Sequence, residues 1–329
     1  MGVPTRFNRA MDRISSAASP PQRFYTPTTE RRAANGRGRE LRPRHGASTS
    51  NARASPHESR RVSGSSGDFD IGADAGTGDN TVVLTSSSGG IGLSALAAML
   101  AWELRMRKLT AAVVDADFRA GGLDVLLGIE SEEGLRFGGL DAPLGRIEAE
   151  SLNRRLPKWE GIGVLAFDPW NGDVPDWWEI QAAICALGEA NDVVVVDGAD
   201  GGVLDMVPGL TDSKRIVVAE LSVLGVARAK AHIAQLESCE GGGSVEPSRT
   251  DRILAVVGVQ PRGARGNAGC LSVLEASDYL SCEVIGPIRP DRKLQRDLLE
   301  GLGIQRIGTG SAACVRLTAD RVEAWMGER

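Results

Sequence analysis

The chain has 329 residues, enough for one large α/β domain or two small ones. Its net charge of −5 combines two unlike parts: residues 1–66 carry 13 Arg and four acidic residues (+9), and residues 67–329 carry 25 basic and 39 acidic residues (−14). Three His, five Cys without a C-x-x-C pair and no apolar run of about 18 residues argue against a zinc centre, a disulfide framework and a membrane-spanning helix, so the cytoplasm is the expected location.

Residues 1–78 are rich in Arg, Ser, Pro, Gly and Ala and lack periodic apolar residues. Such a composition buries too little apolar surface to offset the entropy of ordering, which predicts a disordered basic arm. Basic arms bind acidic lipids or nucleic acid in some proteins, but most charge runs are simply solvated. We therefore expect nucleic acid to contact this chain only through the arm, if at all.

From residue 79 onward, short apolar runs alternate with helical stretches. The predicted strands are 81–85, 111–115, 162–167, 192–197, 215–221, 253–259 and 283–288. The predicted helices are 94–107, 177–189, 223–238, 271–280, 292–302 and 312–326, with surface loops at 241–251 and 261–269. This alternation predicts an α/β domain over 79–329, a doubly wound and mostly parallel sheet flanked by helices.

A glycine-rich segment follows the first strand and opens the first helix. It reads Ser-Gly-Gly-Ile-Gly-Leu-Ser over residues 88–94. In a strand–loop–helix context, glycines let backbone N–H groups point at an anion, and the helix N-terminus adds partial positive charge. A serine at the end of such a loop occupies the place of a Mg²⁺-binding hydroxyl.

Two aspartate motifs follow other strands. Val-Val-Asp-Ala-Asp ends the second strand with Asp115 and Asp117, and four consecutive valines lead to Asp197. Aspartates at strand ends often cap the next helix, and this alternative applies to Asp115 and Asp117. Their occurrence together with the glycine loop favours a nucleotide site.

These segments resemble the deviant Walker A ATPases of the MinD/ParA kind, whose loop reads K-G-G-x-G-K-[ST]. The resemblance covers roughly residues 80–329, and the phrases at 121–124 and 134–136 are most similar to the CpaE/TadZ group of Tad-pilus localisation proteins and to septum-site-determining proteins. It implies nucleotide binding by the loop residues, metal binding by Ser94, Asp115 and Asp197, and a catalytic position at Asp117. The implied nucleotide-binding residues are Ser88, Gly89, Gly90, Ile91, Gly92, Leu93 and Ser94.

The chain departs from the family pattern at both lysines, because Ser88 and Leu93 stand in their places. A hydrogen bond to a charged group contributes about 1.5–3 kcal/mol, so its loss weakens nucleotide binding roughly 10- to 150-fold. We therefore expect ATP and Mg²⁺ to bind weakly or not at all, and Asp117 to be inactive in hydrolysis. The family's adenine-contacting Asn, which follows a late strand, is also missing from residues 256–260. Arg119 is an alternative source of the missing cation, although most loop arginines are solvated.

The predicted function is therefore a non-enzymatic positioning protein or scaffold, derived from a P-loop ATPase. The resemblance implies a homodimer that acts with a pilus or secretion ATPase, or with polar or division-site proteins, at the inner face of the membrane, a cell pole or the septum. The alternatives are an active ATPase in septum placement and a DNA-partitioning protein that uses the basic arm.

Three further features are interpreted as structural. Trp170, Trp177 and Trp178 are interpreted as core packing, with an interface as the alternative. The last helix has an apolar stripe but acidic residues on its polar face, which favours docking on the body over contact with a membrane. His232 is interpreted as structural.

Overall fold

The computed structural model describes residues 79–170, 173–238, 252–264 and 269–328. The predicted disordered arm over 1–78, the loop at 241–251 and residues 265–268 of the second loop lie outside these ranges. The described residues contain eight strands: β1 Thr81–Thr85, β2 Ala111–Asp115, β3 Lys158–Trp159, β4 Ile162–Leu165, β5 Val193–Asp197, β6 Lys214–Glu220, β7 Ile253–Val259 and β8 Val284–Ile288. The helices are α1 Leu93–Met106, α2 Leu123–Leu127, α3 Ala149–Arg155, α4 Trp177–Ala190, α5 Gly202–Met206, α6 Val223–Ser238, α7 Val273–Leu280, α8 Arg292–Leu299 and α9 Thr309–Gly327.

The strands form a single sheet in the order β3-β4-β2-β5-β1-β6-β7-β8. Every neighbouring pair is parallel except β3 and β4, which are antiparallel. Parallel strands need crossover connections, and helices supply most of them on the two faces of the sheet. The predicted doubly wound, mostly parallel fold is confirmed.

Two apolar layers enclose the sheet, because successive side chains of each strand point to opposite faces. Val83 belongs to the layer that holds residues of α4, α6 and α7, whereas Val82 and Leu84 belong to the layer that holds residues of α1 and α9. The central strands β1 and β5 are fully covered on both faces. Their carboxyl ends therefore open at one rigid edge, where the site lies.

All seven predicted strands and all six predicted helices are present, with boundaries that differ by a few residues. The sequence did not predict β3, α2, α3 or α5, which are two to seven residues long. Elements this short carry too few residues to show a hydrophobic period. The β3 strand is fixed by a tertiary contact, since Trp159 packs edge-to-face against Trp102 with ring centroids 5.2 Å apart.

The core-packing interpretation of the three tryptophans is wrong. Trp170 is 78% exposed, and Trp177 and Trp178 are 39% and 41% exposed. They lie where β4 ends and α4 begins, outside the apolar layer that the middle of α4 joins. The alternative, a surface for an interaction, is the one compatible with this exposure.

The last helix docks on the body, as predicted. Val315, Ala319 and Val322 are fully buried, and Met326 packs against the same apolar layer. None of the helices in the described ranges combines the length and apolarity needed to cross a membrane. The four cysteines in these ranges are reduced thiols, and Cys239 lies outside them.

Candidate nucleotide site

The glycine loop connects β1 to α1 and is open toward solvent. Gly90 and Gly92 have φ angles of 70° and 95°, in the left-handed region that favours glycine. A Cβ added at Gly89, Gly90 or Gly92 would meet no atom within 4 Å. The loop is therefore a shallow cradle with unfilled space in front of its backbone, at the N-terminus of a 14-residue helix.

Leu93, at the position of the family's second lysine, is the first residue of α1. Its side chain is partly buried and packs against the apolar layer beneath the loop, together with Ile91. A leucine has no hydrogen-bond donor, so an anion in the cradle would meet backbone N–H groups and no cation from this position. Ser88 uses its backbone N–H to bond the hydroxyl oxygen of Ser86, 3.1 Å away.

Asp115 and Asp197 end the adjacent strands β2 and β5 and are partners in register. Both are almost completely buried. Burial raises the pKa of Asp115 to about 7, and the neighbouring charge of Asp197 adds to the rise. Burial also raises the pKa of Asp197, while a hydrogen bond from the Ser94 hydroxyl opposes that rise. Two buried carboxylates side by side are a costly arrangement that a cation would relieve.

Asp115 also makes the contacts that the capping interpretation requires. Its Oδ2 accepts a hydrogen bond of 3.1 Å from the backbone N–H of Leu123, the first residue of α2, and its Oδ1 accepts one of 3.1 Å from Asp117. These bonds fix the carboxylate without neutralising it. Capping and metal binding are therefore compatible roles for this residue.

Asp117 shapes the loop after β2. Its Oδ1 accepts hydrogen bonds from the backbone N–H groups of Arg119 and Ala120, at 3.2 and 3.1 Å. The Arg119 side chain is 84% exposed and pairs with Asp200, Nη1 to Oδ2 at 2.8 Å. Arg119 therefore lies at the rim of the site, held by a carboxylate, rather than at the cradle.

All the predicted site residues converge on one cleft of about 1380 Å³. The cradle and the three aspartates line it, and so does Arg119. The cleft is also lined by residues after β7 and β8 that the sequence did not assign to the site: Arg262, Gly263, Arg289, Asp291 and Gln295. They lie in loops or, for Gln295, in α8, and only the order of the strands in the sheet brings them to the cleft.

The donor set suits Mg²⁺. Ser94, Asp115 and Asp197 offer hard oxygen ligands, and Mg²⁺ typically combines one or two carboxylates with phosphate oxygens and water. Within the described ranges, no group of three or more His, Cys, Asp or Glu side chains forms a metal site by itself. Ser94, Asp115 and Asp197 would hold the ion, and phosphate oxygens would complete its coordination.

His232 has the structural role predicted for it. It is buried on α6, and its Nε2 lies 3.0 Å from the Oγ1 of Thr85, the last residue of β1. Burial lowers the pKa of His232, although the charge of Asp200 opposes this effect. The neutral imidazole thus supports the strand end from which the cradle springs.

Several solved structures share this fold. The MinC:MinD cell division complex of Aquifex aeolicus matches with a TM-score of 0.55 and 23% identity over 76% of this chain and 97% of that chain. MinD of Pyrococcus horikoshii, complexed with Mg-ADP, gives 0.53 and 16% over 76% and 98%. A ParA family ATPase of Chlorobium tepidum gives 0.50 and 16% over 73% and 98%. The chain has the MinD/ParA fold.

The sequence comparisons are less specific. No family model matches the chain. Two curated relatives from Mycobacterium tuberculosis strains, named Uncharacterized protein MT3760 and Uncharacterized protein Rv3660c, are each 28% identical over 225 residues. The match covers 67% of this chain and 57% of each relative, so the chain spans little more than half the length of these proteins.

Proposed function

We propose that this protein is a positioning or scaffold protein of the CpaE/TadZ type, with a nucleotide site that binds Mg-ATP weakly and does not hydrolyse it. The observation that carries the proposal is the unequal loss of site features. The open cradle, Ser94, Asp115 and Asp197 are all in place, whereas Leu93 removes the cation and packs into the apolar layer. The chain thus keeps the groups that would bind a phosphate and a metal ion, but it lacks the lysine that phosphoryl transfer needs.

The missing cation affects turnover more than binding. Backbone N–H groups and a metal ion can hold a ground-state phosphate at modest affinity. Phosphoryl transfer depends on stabilising charge that develops in the transition state, and loss of a single such contact costs about 10²–10³-fold in rate. We therefore expect a ligand-dependent switch or a relic site rather than an enzyme.

The scaffold role rests on the fold and the resemblance together. One structure of this fold is a MinC:MinD complex, so a protein of this architecture assembles with a division protein. For this chain we propose a homodimer that recruits pilus or secretion machinery, or division-site proteins, to the inner face of the membrane. The docked last helix leaves its apolar stripe unavailable for that membrane contact.

Three assays on the full chain test the proposal. Isothermal titration with Mg-ATP and Mg-ADP should give dissociation constants in roughly the 0.01–1 mM range, about 10- to 150-fold weaker than a low-micromolar P-loop site. Phosphate release from Mg-ATP should not exceed that of the Gly89→Val variant, whose added side chain enters open space in the cradle. Analytical ultracentrifugation with and without Mg-ATP should report any dimer.

Phosphate release well above the Gly89→Val level would overturn the scaffold proposal in favour of an active ATPase. If Arg119 supplied the cation in that case, Arg119→Gln would abolish release, whereas Arg228→Gln on the exposed face of α6 would not. Binding of Mg-ATP that Gly89→Val leaves unchanged would instead show that the nucleotide does not use the cradle.

A further inference from the structure

An exposed acidic and aromatic surface lies between β4 and α4. We call it the tryptophan patch, and it comprises Trp170, Val174, Trp177 and Trp178 with the carboxylates of Asp168, Asp173 and Asp176. Trp170 and Val174 are more than half exposed. Tryptophan is highly buried on average in folded proteins, so three partly or largely exposed indoles in one segment require an explanation.

Local hydrogen bonds hold the backbone at residues 168–170 and at the first turn of α4. Asp168 Oδ1 accepts a 2.9 Å bond from the backbone N–H of Trp170. Asp176 and Glu179 form a reciprocal capping box at the first turn of α4. The indoles of Trp177 and Trp178 contact each other edge-to-face, with centroids 5.9 Å apart. A partner would therefore meet side chains whose ordering entropy is already partly lost.

The charge of the patch selects the chemistry of its partner. Residues 168–170 and 173–179 contain four carboxylates, three indoles and no Lys or Arg. A purely apolar partner would bury the carboxylates without a hydrogen-bond or charge partner, and an anionic lipid surface would be repelled by them. A guanidinium group stacks on an indole face and bonds a carboxylate at the same time, which a compact ammonium does less well.

We propose that the tryptophan patch docks an arginine-bearing segment of a partner protein. The indoles supply the anchors that dominate binding energy at many interfaces, and the surrounding aspartates fix the arginines. Val174 also lines the nucleotide cleft, so the docked segment reaches the edge of the site. The inference deepens the proposed scaffold role and rests on it for its biological meaning, but its test contains no nucleotide, so either can fail alone.

Fluorescence anisotropy with labelled oligo-arginine and oligo-lysine peptides of equal length tests the inference on the full chain. Titration extends to millimolar concentrations of the chain, so that weak binding is also measured. The wild-type chain should bind oligo-arginine at least about fivefold more tightly than oligo-lysine. The double variant Trp170→Ala/Trp178→Ala should weaken oligo-arginine binding about tenfold or more and remove the preference over lysine.

Matched variants separate the patch from the general acidity of the body. Asp173→Asn/Asp176→Asn should weaken oligo-arginine binding several-fold, because it removes two carboxylates. Asn still caps α4, so the helix should be retained. Glu132→Gln/Glu133→Gln removes two exposed charges elsewhere and should change little, as should Leu274→Ala, which removes a 71% exposed apolar side chain. Circular dichroism melts confirm that each variant is folded.

Equal affinity for the two peptides, or oligo-arginine binding that survives loss of the tryptophans in a folded variant, would overturn the inference. So would sedimentation of the wild-type chain with phosphatidylglycerol vesicles that the tryptophan variant abolishes, because the patch would then be a membrane contact.

Discussion

Asp115 provides the sharpest physical test of the site, because its carboxyl is 1% exposed and its pKa is about 7 in the folded chain. Its ordinary pKa is 3.8. Since folding raises the pKa, the stability associated with the protonated carboxyl is fully present below about pH 4 and is lost as the pH rises through 7. In the absence of a cation, ionised Asp115 therefore destabilises the fold at neutral and alkaline pH.

The substitution Asp115→Asn should remove this penalty. A shift from 3.8 to about 7 corresponds to a penalty of roughly 2 kcal/mol at pH 5.5 and roughly 4 kcal/mol at pH 8.5. Both carboxylate oxygens of Asp115 now accept a hydrogen bond from a backbone N–H. The NH₂ group of asparagine would face one of these N–H donors, and the lost hydrogen bond costs about 1 kcal/mol or more. The unfolding free energy of the variant relative to the wild type should therefore rise by about 2 kcal/mol from pH 5.5 to pH 8.5. At pH 8.5 the variant should be the more stable protein.

Urea unfolding of the full chain, without Mg²⁺ or nucleotide, measures this gain. Comparison of the two proteins at each pH cancels the other titrating groups, and Asp205→Asn serves as an exposed carboxylate control. If the difference in unfolding free energy between wild type and Asp115→Asn does not change from pH 5.5 to 8.5, ionised Asp115 does not destabilise the fold.

Three further predictions follow from single contacts. Gly303→Ala should lower the unfolding free energy by about 2–4 kcal/mol, because the φ of Gly303 is 67° and an added Cβ would lie 2.3 Å from the Leu127 carbonyl oxygen. Gly327 has open space around it, so Gly327→Ala should leave the unfolding free energy nearly unchanged, and urea unfolding of both variants measures the difference. Because burial lowers the pKa of His232 below 6.5, wild-type stability should fall as the pH drops below about 6.5, and His232→Leu should reduce that fall in unfolding measured at pH 5 and pH 8; an unchanged pH slope would contradict the assignment. Ser94→Ala should reduce Mg-ATP affinity to the level measured without Mg²⁺, because it removes a metal ligand and the hydroxyl bonded to Asp197; a titration in which Mg²⁺ still improves binding would refute that role.

The sequence predicted the central sheet well, because buried parallel strands leave a direct mark. The four valines before Asp197 form β5, and the run that ends at Thr85 forms β1, within one residue of the expected bounds. The glycine loop and the aspartates were predicted to meet because carboxyl ends of parallel strands share an edge. The structure places them on one cleft, while their ligand role stays a prediction.

Contacts between distant residues were beyond the reach of pattern reasoning. The Arg119–Asp200 pair joins residues 81 positions apart, and the Thr85–His232 contact joins residues 147 positions apart. The β3 strand depends on the contact between Trp159 and Trp102. The tryptophans at positions 170, 177 and 178 were misplaced in the core, because apolar composition alone does not distinguish a buried cluster from an exposed one.

We propose that the cradle still binds a nucleotide phosphate, although Leu93 has removed the cation of the family's loop. Isothermal titration of Mg-ATP into the full-length Leu93→Lys variant, beside the wild type, tests this claim most directly. We predict that the lysine increases affinity about 10- to 150-fold, the value of a restored charged hydrogen bond. A folded Leu93→Lys variant that binds Mg-ATP no more tightly than the wild type would contradict the claim and show that this loop is not a phosphate site.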